Sequence, residues 1–166
     1  MRYGLVGSEM CIRDRPSHCY EFGSIYNELE LKILKNDENF RSLFNTNHKI
    51  SSGDLVFTSN NKIVNLAGIM GGEYSACDKE TKKVIVEFAF FIPESISGRA
   101  VKYNLISDAS HKFERGIDYN LQETAMRRFI KIVSEHCKIN EVKVFSQEAQ
   151  KFTNKTIPFD LSLIHI

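Results

Sequence analysis

The chain has 166 residues, 42% hydrophobic and 26% charged, the composition of a soluble globular protein with enough length for one domain and a real core. Its 22 Lys+Arg stand against 21 Asp+Glu, which excludes an electrostatic nucleic-acid clamp of the usual basic kind. Four cysteines without a C-x-x-C pair argue against a disulfide framework or a zinc knuckle, and no apolar run approaches a membrane span or a signal-peptide core. These features read as a reduced, cytoplasmic domain.

The first fifteen residues end in "MCIRDR", and the chain closes on "LSLIHI". The first peptide back-translates to a DNA string whose reverse complement, with one more base, encodes the second. The termini thus resemble one transposase-type sequencing adapter read on opposite strands, and "GLVGSE" fits the adjoining bases in frame. Residues 1–15 and 161–166 are expected to be non-biological, which leaves a single domain over 16–160. Within it the charges balance at 19 of each sign, and Cys19, Cys77 and Cys137 remain.

In chain order, "LELKILK" alternates apolar and polar residues and predicts a strand over Leu29–Lys35. "DLVFTSNNKIVNLAGIMGG" predicts two strands joined at Asn60-Asn61, residues that tolerate left-handed turn conformations. The second strand runs into a glycine-rich corner at Gly68, Gly71 and Gly72. "VIVEFAFF", from Val84 to Phe91, has the near-continuous apolar pattern of a strand buried on both faces. Pro93 and Ser95 mark a helix entry, with the helix expected to reach about Asn104. A short helical turn is expected in "SDASHKFERG", ended by Gly116. "LQETAMRRFIKIVSEH" has the spacing of an amphipathic helix packing on a sheet, and "EVKVFS" is expected to be a last strand. There is no internal repeat and no low-complexity segment. Strands and helices intermix without a regular βαβ alternation, so the fold class is α+β, a mixed β-sheet flanked by helices in one domain.

Few residues point to chemistry on their own. The glycine corner lacks the Walker lysine spacing, which leaves a tight turn after a strand or a close backbone approach to a ligand. Glu87 interrupts an apolar run whose neighbours demand burial, and a carboxylate is rarely buried unpaired. It either emerges at a strand end or is held in a pocket by a polar partner, and the ordinary reading is a structural ion pair with a nearby arginine. His18 sits among Tyr20, Glu21 and Phe22, where a lone histidine is usually structural. No H-E-x-x-H, nucleophile elbow or Cys/His set at ligand spacing is present. Arg99, Lys102, Lys112 and Arg115 are diluted by Glu94, Asp108, Glu114 and Asp118 and read as a solvated mixed face.

Taken together, the motifs A-G-I-M-G-G, V-x-x-E-x-A-F-F-x-P-x-S-I, S-D-A-S and F-E-R-G-I-D closely resemble the tRNA-editing domain of the beta subunit of bacterial phenylalanyl-tRNA synthetase. "PSHCYEF" resembles that domain's P-x-H-x-F-D entry segment, with Tyr20 for Phe and Glu21 for Asp. The likeness runs from Pro16 to about Val144 and is weakest between Leu29 and Gly53. It implies hydrolysis of tyrosine wrongly esterified to the phenylalanine tRNA. A pocket shaped for phenylalanine rejects an analogue that adds one hydroxyl only weakly, so a second site has to recognise that hydroxyl.

By the resemblance, Glu87 matches the carboxylate that binds the tyrosine hydroxyl, and Gly68 and Gly71 match glycines lining the pocket. Ala109 matches a small residue that keeps the pocket open, and Ser107 stands where relatives carry threonine. His18 matches the pocket histidine, a catalytic residue in the sense of orienting the hydrolytic water. A Thr-Asn pair of the family falls within "MCIRDR" and is absent, so the resemblance implies a truncated pocket and an inactive isolated fragment. The implied partners are the 3′ end of phenylalanine tRNA carrying tyrosine, the remainder of the beta subunit and the alpha subunit of a heterotetramer, with no membrane. No cofactor is implied in this domain, ATP and Mg serving the full synthetase. The alternative is a non-catalytic module of the synthetase that is structural or contacts tRNA.

Overall fold

The computed structural model describes residues 16–25 and 28–147. The leader assigned to residues 1–15, the tail assigned to 161–166 and the end of the domain beyond 147 lie outside the described residues. Eight strands form three antiparallel sheets: β1 (His18–Glu21) with β8 (Val84–Glu87); β2 (Glu30–Ile33), β5 (Leu55–Ser59), β6 (Lys62–Leu66) and β7 (Met70–Gly71) in the order β2-β5-β6-β7; and the hairpin β3 (Glu38–Arg41) with β4 (Asn47–Ile50). Four helices follow: α1 (Pro93–Ile96), α2 (Arg99–Lys102), α3 (Asp108–Arg115) and α4 (Gln122–His136). The architecture is α+β.

The β5–β6 hairpin is the centre of the core. Asn60 and Asn61 both carry positive φ, 47° and 60°, the left-handed pair that a two-residue turn needs to match strand twist. From Val56 to Ser59 and from Ile63 to Leu66 every residue is buried. The strand pair buried on both faces is therefore here, and not at "VIVEFAFF". That segment forms only the four-residue β8, half-buried, because β1 is its single partner. Beyond Glu87 the aromatics divide between two environments. Phe88 meets Phe129 of α4 at 5.7 Å and Phe90 meets Tyr119 at 6.1 Å, whereas Phe91 turns into the core against Phe57 and Phe113.

Three further expectations are corrected. The helix expected from Pro93 to about Asn104 is broken, because Gly98 takes φ +75°, a left-handed conformation that cannot continue an α-helix. The break re-aims the second piece, α2, so that Arg99 and Lys102 reach the buried Asp54 ahead of β5 at 3.1 and 3.0 Å. Those two cations thus belong to an ion-pair hub and not to a solvated mixed face. "EVKVFS" forms no strand; it lies exposed, with Phe145 90% accessible, and pairs with none of the sheets of the described residues. Helix α4 forms as expected, but Ala125 is its one buried residue, and it reaches the β8 segment through Phe129.

Helix α3 forms where the short helical turn was expected, and two residues delimit it. Ser107 caps it, accepting a hydrogen bond from the Ser110 amide at 3.1 Å while the Ser110 hydroxyl reaches back to the Ser107 amide, a reciprocal capping box. Gly116, at φ +85°, ends it. No helix among the described residues is long and apolar enough to cross a membrane.

Candidate functional site

Strand pairing brings the first of the singled-out residues together. In the β1–β8 register His18 lies opposite Glu87. Tyr20, two residues along, shares the His18 face because side chains of a strand alternate. Its ring meets the His18 ring edge-on at 4.5 Å and the Phe57 ring at 6.4 Å, and it is fully buried. From that position the Tyr20 hydroxyl donates to Glu87 Oε2 at 2.5 Å. The same hydroxyl accepts from Asn65 Nδ2 of β6 at 2.8 Å. Among the described residues Glu87 is therefore not half of an ion pair; its partner there is a phenol.

Burial sets the protonation of this cluster. Desolvation pushes the Glu87 carboxyl up to about 7, and the hydrogen bond from Tyr20 pulls it the other way. Burial lowers His18, so its imidazole is neutral at neutral pH. The Tyr20 phenol is raised by burial and by the adjacent carboxylate, and it keeps its proton. The result is a half-buried carboxylate with no counter-cation among the described residues, facing a neutral imidazole.

The glycine corner fits around the imidazole. Gly71 pairs with Asn65 across β6–β7, and a Cβ at Gly71 would stand 2.2 Å from His18 Cε1 and 2.9 Å from Leu43 Cδ1. Only a glycine lets His18 seat there. Gly68 has two constraints: φ +68°, and a would-be Cβ within 3.0–3.2 Å of Phe91, Ile96 and Phe113. It therefore turns the chain on top of the aromatic core. Between them, the carbonyl of Ile69 accepts the Ser107 hydroxyl at 2.7 Å, which ties the start of α3 to the corner. The Ser107 hydroxyl is thereby used twice, as donor to Ile69 and as cap acceptor. Ala109 lies in the first turn of α3, half-buried against the core cluster.

The structure thus gathers His18, Glu87 and Gly71 into one cluster and links Gly68 and Ser107 through the corner beside it. Sequence reading missed Asn65 and the role of Tyr20. The available signal was a polar residue in the middle of "KIVNLAG", where both flanking positions are buried and an amide requires a partner. Two open clefts lie elsewhere. One of about 610 Å³ is lined by Phe40, Arg41, Lys62, Glu73 and Tyr74 among others, and one of about 360 Å³ lies beside Asp54, Gly98 and Arg99. Neither includes a residue of the His18–Glu87 cluster. Among the described residues no group of three or more His, Cys, Asp or Glu side chains is placed to hold a metal ion.

The B3/4 domain model matches residues 6–138. Curated relatives include the phenylalanine–tRNA ligase beta subunits of Francisella tularensis (32% identical over 154 residues, 93% of this chain and 20% of the relative), Vibrio cholerae (36% over 128 residues, 77% and 16%) and Haemophilus ducreyi (37% over 123 residues, 74% and 16%). The chain spans a fifth or less of the length of these relatives. It belongs to the B3/4 domain family, as a segment of the kind found in phenylalanine–tRNA ligase beta subunits.

Proposed function

We propose that this domain edits mischarged tRNA, hydrolysing the ester between tyrosine and the phenylalanine tRNA. The observation that carries the reading is Glu87: a desolvated carboxylate, without a cation among the described residues, that already accepts a phenolic O–H within the fold. Such a group favours a substrate that brings a hydroxyl. Phenylalanine in its place leaves the buried acceptor short of a donor, at a cost of about 1–3 kcal/mol. That difference is the discrimination a pocket built on shape alone does not supply.

The chemistry needs little beyond placement. An aminoacyl ester is already activated. A water oxygen adds to the ester carbonyl carbon, the acyl–oxygen bond breaks, and the departing ribose oxygen takes a proton. His18, neutral and opposite Glu87, orients that water; Gly71 gives it room; Gly68, Ser107 and Ala109 shape the wall. No cofactor takes part here, ATP and Mg belonging to the ligase reaction of the complete enzyme. The partners are the aminoacylated 3′ end of the tRNA, the rest of the beta subunit and an alpha subunit in a heterotetramer, in the cytoplasm. Because the charges nearly balance, most tRNA affinity resides outside this domain.

The test is deacylation of tyrosyl-tRNA(Phe) by the complete synthetase carrying this domain. Glu87→Ala is expected to lower the rate by roughly 10- to 100-fold, the worth of one hydrogen bond to a charged group. An unchanged rate overturns the assignment.

A further inference from the structure

The editing reading leaves Asn65 and the Tyr20 hydroxyl without a role, yet they are the polar groups most deeply built into the cluster. We infer that Asn65 and Tyr20 form a hydrogen-bond relay that orients Glu87 and commits its Oε2, so that the carboxylate reads a substrate phenol through Oε1. Both are positioning residues for specificity. The inference rests on the reading of Glu87 as the acceptor of the substrate hydroxyl.

The direction of the relay follows from what each group can do. The amide nitrogen of Asn65 has only hydrogens to give. At 2.8 Å it therefore donates to the Tyr20 oxygen, and the phenolic hydrogen must point elsewhere. Its acceptor is Glu87 Oε2, at 2.5 Å. The ring cannot swing away, since Tyr20 is 0% exposed, with the His18 edge on it at 4.5 Å. Asn65, 4% exposed in the middle of a buried strand, is held by its pairing to Phe57 on one side and Gly71 on the other. Each link of the chain is rigid.

The carboxylate end is what makes the relay matter. An ionised carboxylate has two oxygens and about four lone-pair positions. Among the described residues no second donor reaches Glu87, so Oε1 keeps its capacity. A carboxylate with no fixed donor is free to rotate about its terminal torsion, which is broad. With Oε2 pinned, the direction of Oε1 is set, and a second phenol has one place to bind. From β1 the titratable groups facing Glu87 are the Tyr20 phenol and the His18 imidazole, and burial keeps both uncharged at neutral pH. The Tyr20 hydrogen bond is then the favourable interaction that opposes desolvation and keeps Glu87 available as an anion.

The experiment uses the complete synthetase carrying this domain, with tyrosyl-tRNA(Phe) deacylation followed from about pH 6 to about pH 9 in wild type, Tyr20→Phe, Asn65→Ala and Glu87→Ala. Tyr20→Phe keeps the ring and removes only the donor. Its rate at pH 7 is expected to fall about tenfold, and the midpoint of its ascending pH limb to move up by about one unit. Asn65→Ala is expected to shift the midpoint in the same direction by less, with KM for tyrosyl-tRNA affected more than kcat. A uniform drop at every pH in both variants would mark a merely structural role and overturn the relay. So would a gain in rate, which would make Tyr20 a competitor of the substrate. If wild type deacylates and Glu87→Ala does not, while the Tyr20→Phe midpoint stays in place, the relay alone fails. If wild type does not deacylate, the editing reading and the relay fall together.

Discussion

Two carboxylates in this domain receive a tyrosine hydroxyl, and in both the tyrosine oxygen is itself held by an N–H donor. At Asp54 the donors are Tyr103, Arg99 and Lys102, and the Ser51 amide donates to Tyr103 at 2.8 Å. At Glu87 the donor is Tyr20 alone, held by Asn65. The difference is the pair of cations. Asp54, 3% exposed, has its charge matched by two cations and accepts from three donors across both oxygens, so it ties α2 to the sheet. Glu87, among the described residues, has no cation beside it and a donor on one oxygen only. Similar local chemistry thus gives a charge-matched structural hub in one place and, among the described residues, a carboxylate with a single donor in the other.

The comparison can be broken most directly at the hub. Asp54→Ala leaves two cations and a phenol facing a gap, and is expected to destabilise the domain by about 3 kcal/mol in denaturant unfolding, discounted for the partial exposure of Arg99 and Lys102. A loss under about 1 kcal/mol would mean that the hub is no more than a surface ion pair.

Glu87 should behave in the opposite way. Its carboxyl titrates near 7 in the fold against an ordinary 4.5, so the folded state binds the extra proton between those values. Stability contributed by this group is full below the lower value and is lost as pH rises through about 7. Glu87→Gln cannot ionise, and is expected to be more stable than wild type at pH 8 by on the order of 2 kcal/mol, with little gain at pH 4. Equal unfolding midpoints at pH 8 would show that the anion is compensated after all, and the contrast with Asp54 would collapse.

The smallest effect sharpens the same point. Tyr103→Phe removes one donor of three at Asp54 and one acceptor from Ser51, and is expected to cost about 1 kcal/mol with no change in the pH dependence of stability. A pH-dependent loss would show that Arg99 and Lys102 do not hold the Asp54 charge by themselves.

Local patterns foretold several elements and failed on others for identifiable reasons. Asn60-Asn61 and Gly116 are legible because their conformational preferences act within a few residues. The capping role of Ser107 was not read from sequence, although the residue itself stood out through the family likeness. Gly98 was passed over inside a helical pattern, since a lone glycine only weakens a helix until the rest of the fold selects its left-handed state. "VIVEFAFF" and "EVKVFS" read as strands on composition, but a strand needs a partner edge. Among the described residues β8 found only β1, and the second segment found none.

At the candidate site, the sequence by itself determined the cast: a carboxylate in an apolar run, a histidine near the entry segment, and a glycine corner, each conspicuous because its residue type is costly or permissive where it stands. It also carried the family likeness that the comparisons bear out. The tertiary structure alone decided the pairings. Whether Glu87 would meet an arginine or a phenol depended on the β1–β8 register, which sets His18 opposite it and Tyr20 within reach. Whether Gly71 served φ or space depended on the imidazole seated against it. The partner of Asn65 was decided by the fold, because a hydrogen bond spanning 45 residues of chain leaves no periodic trace in either strand. Local propensity is read over a few residues, whereas charge compensation depends on whatever the fold brings within about 3 Å.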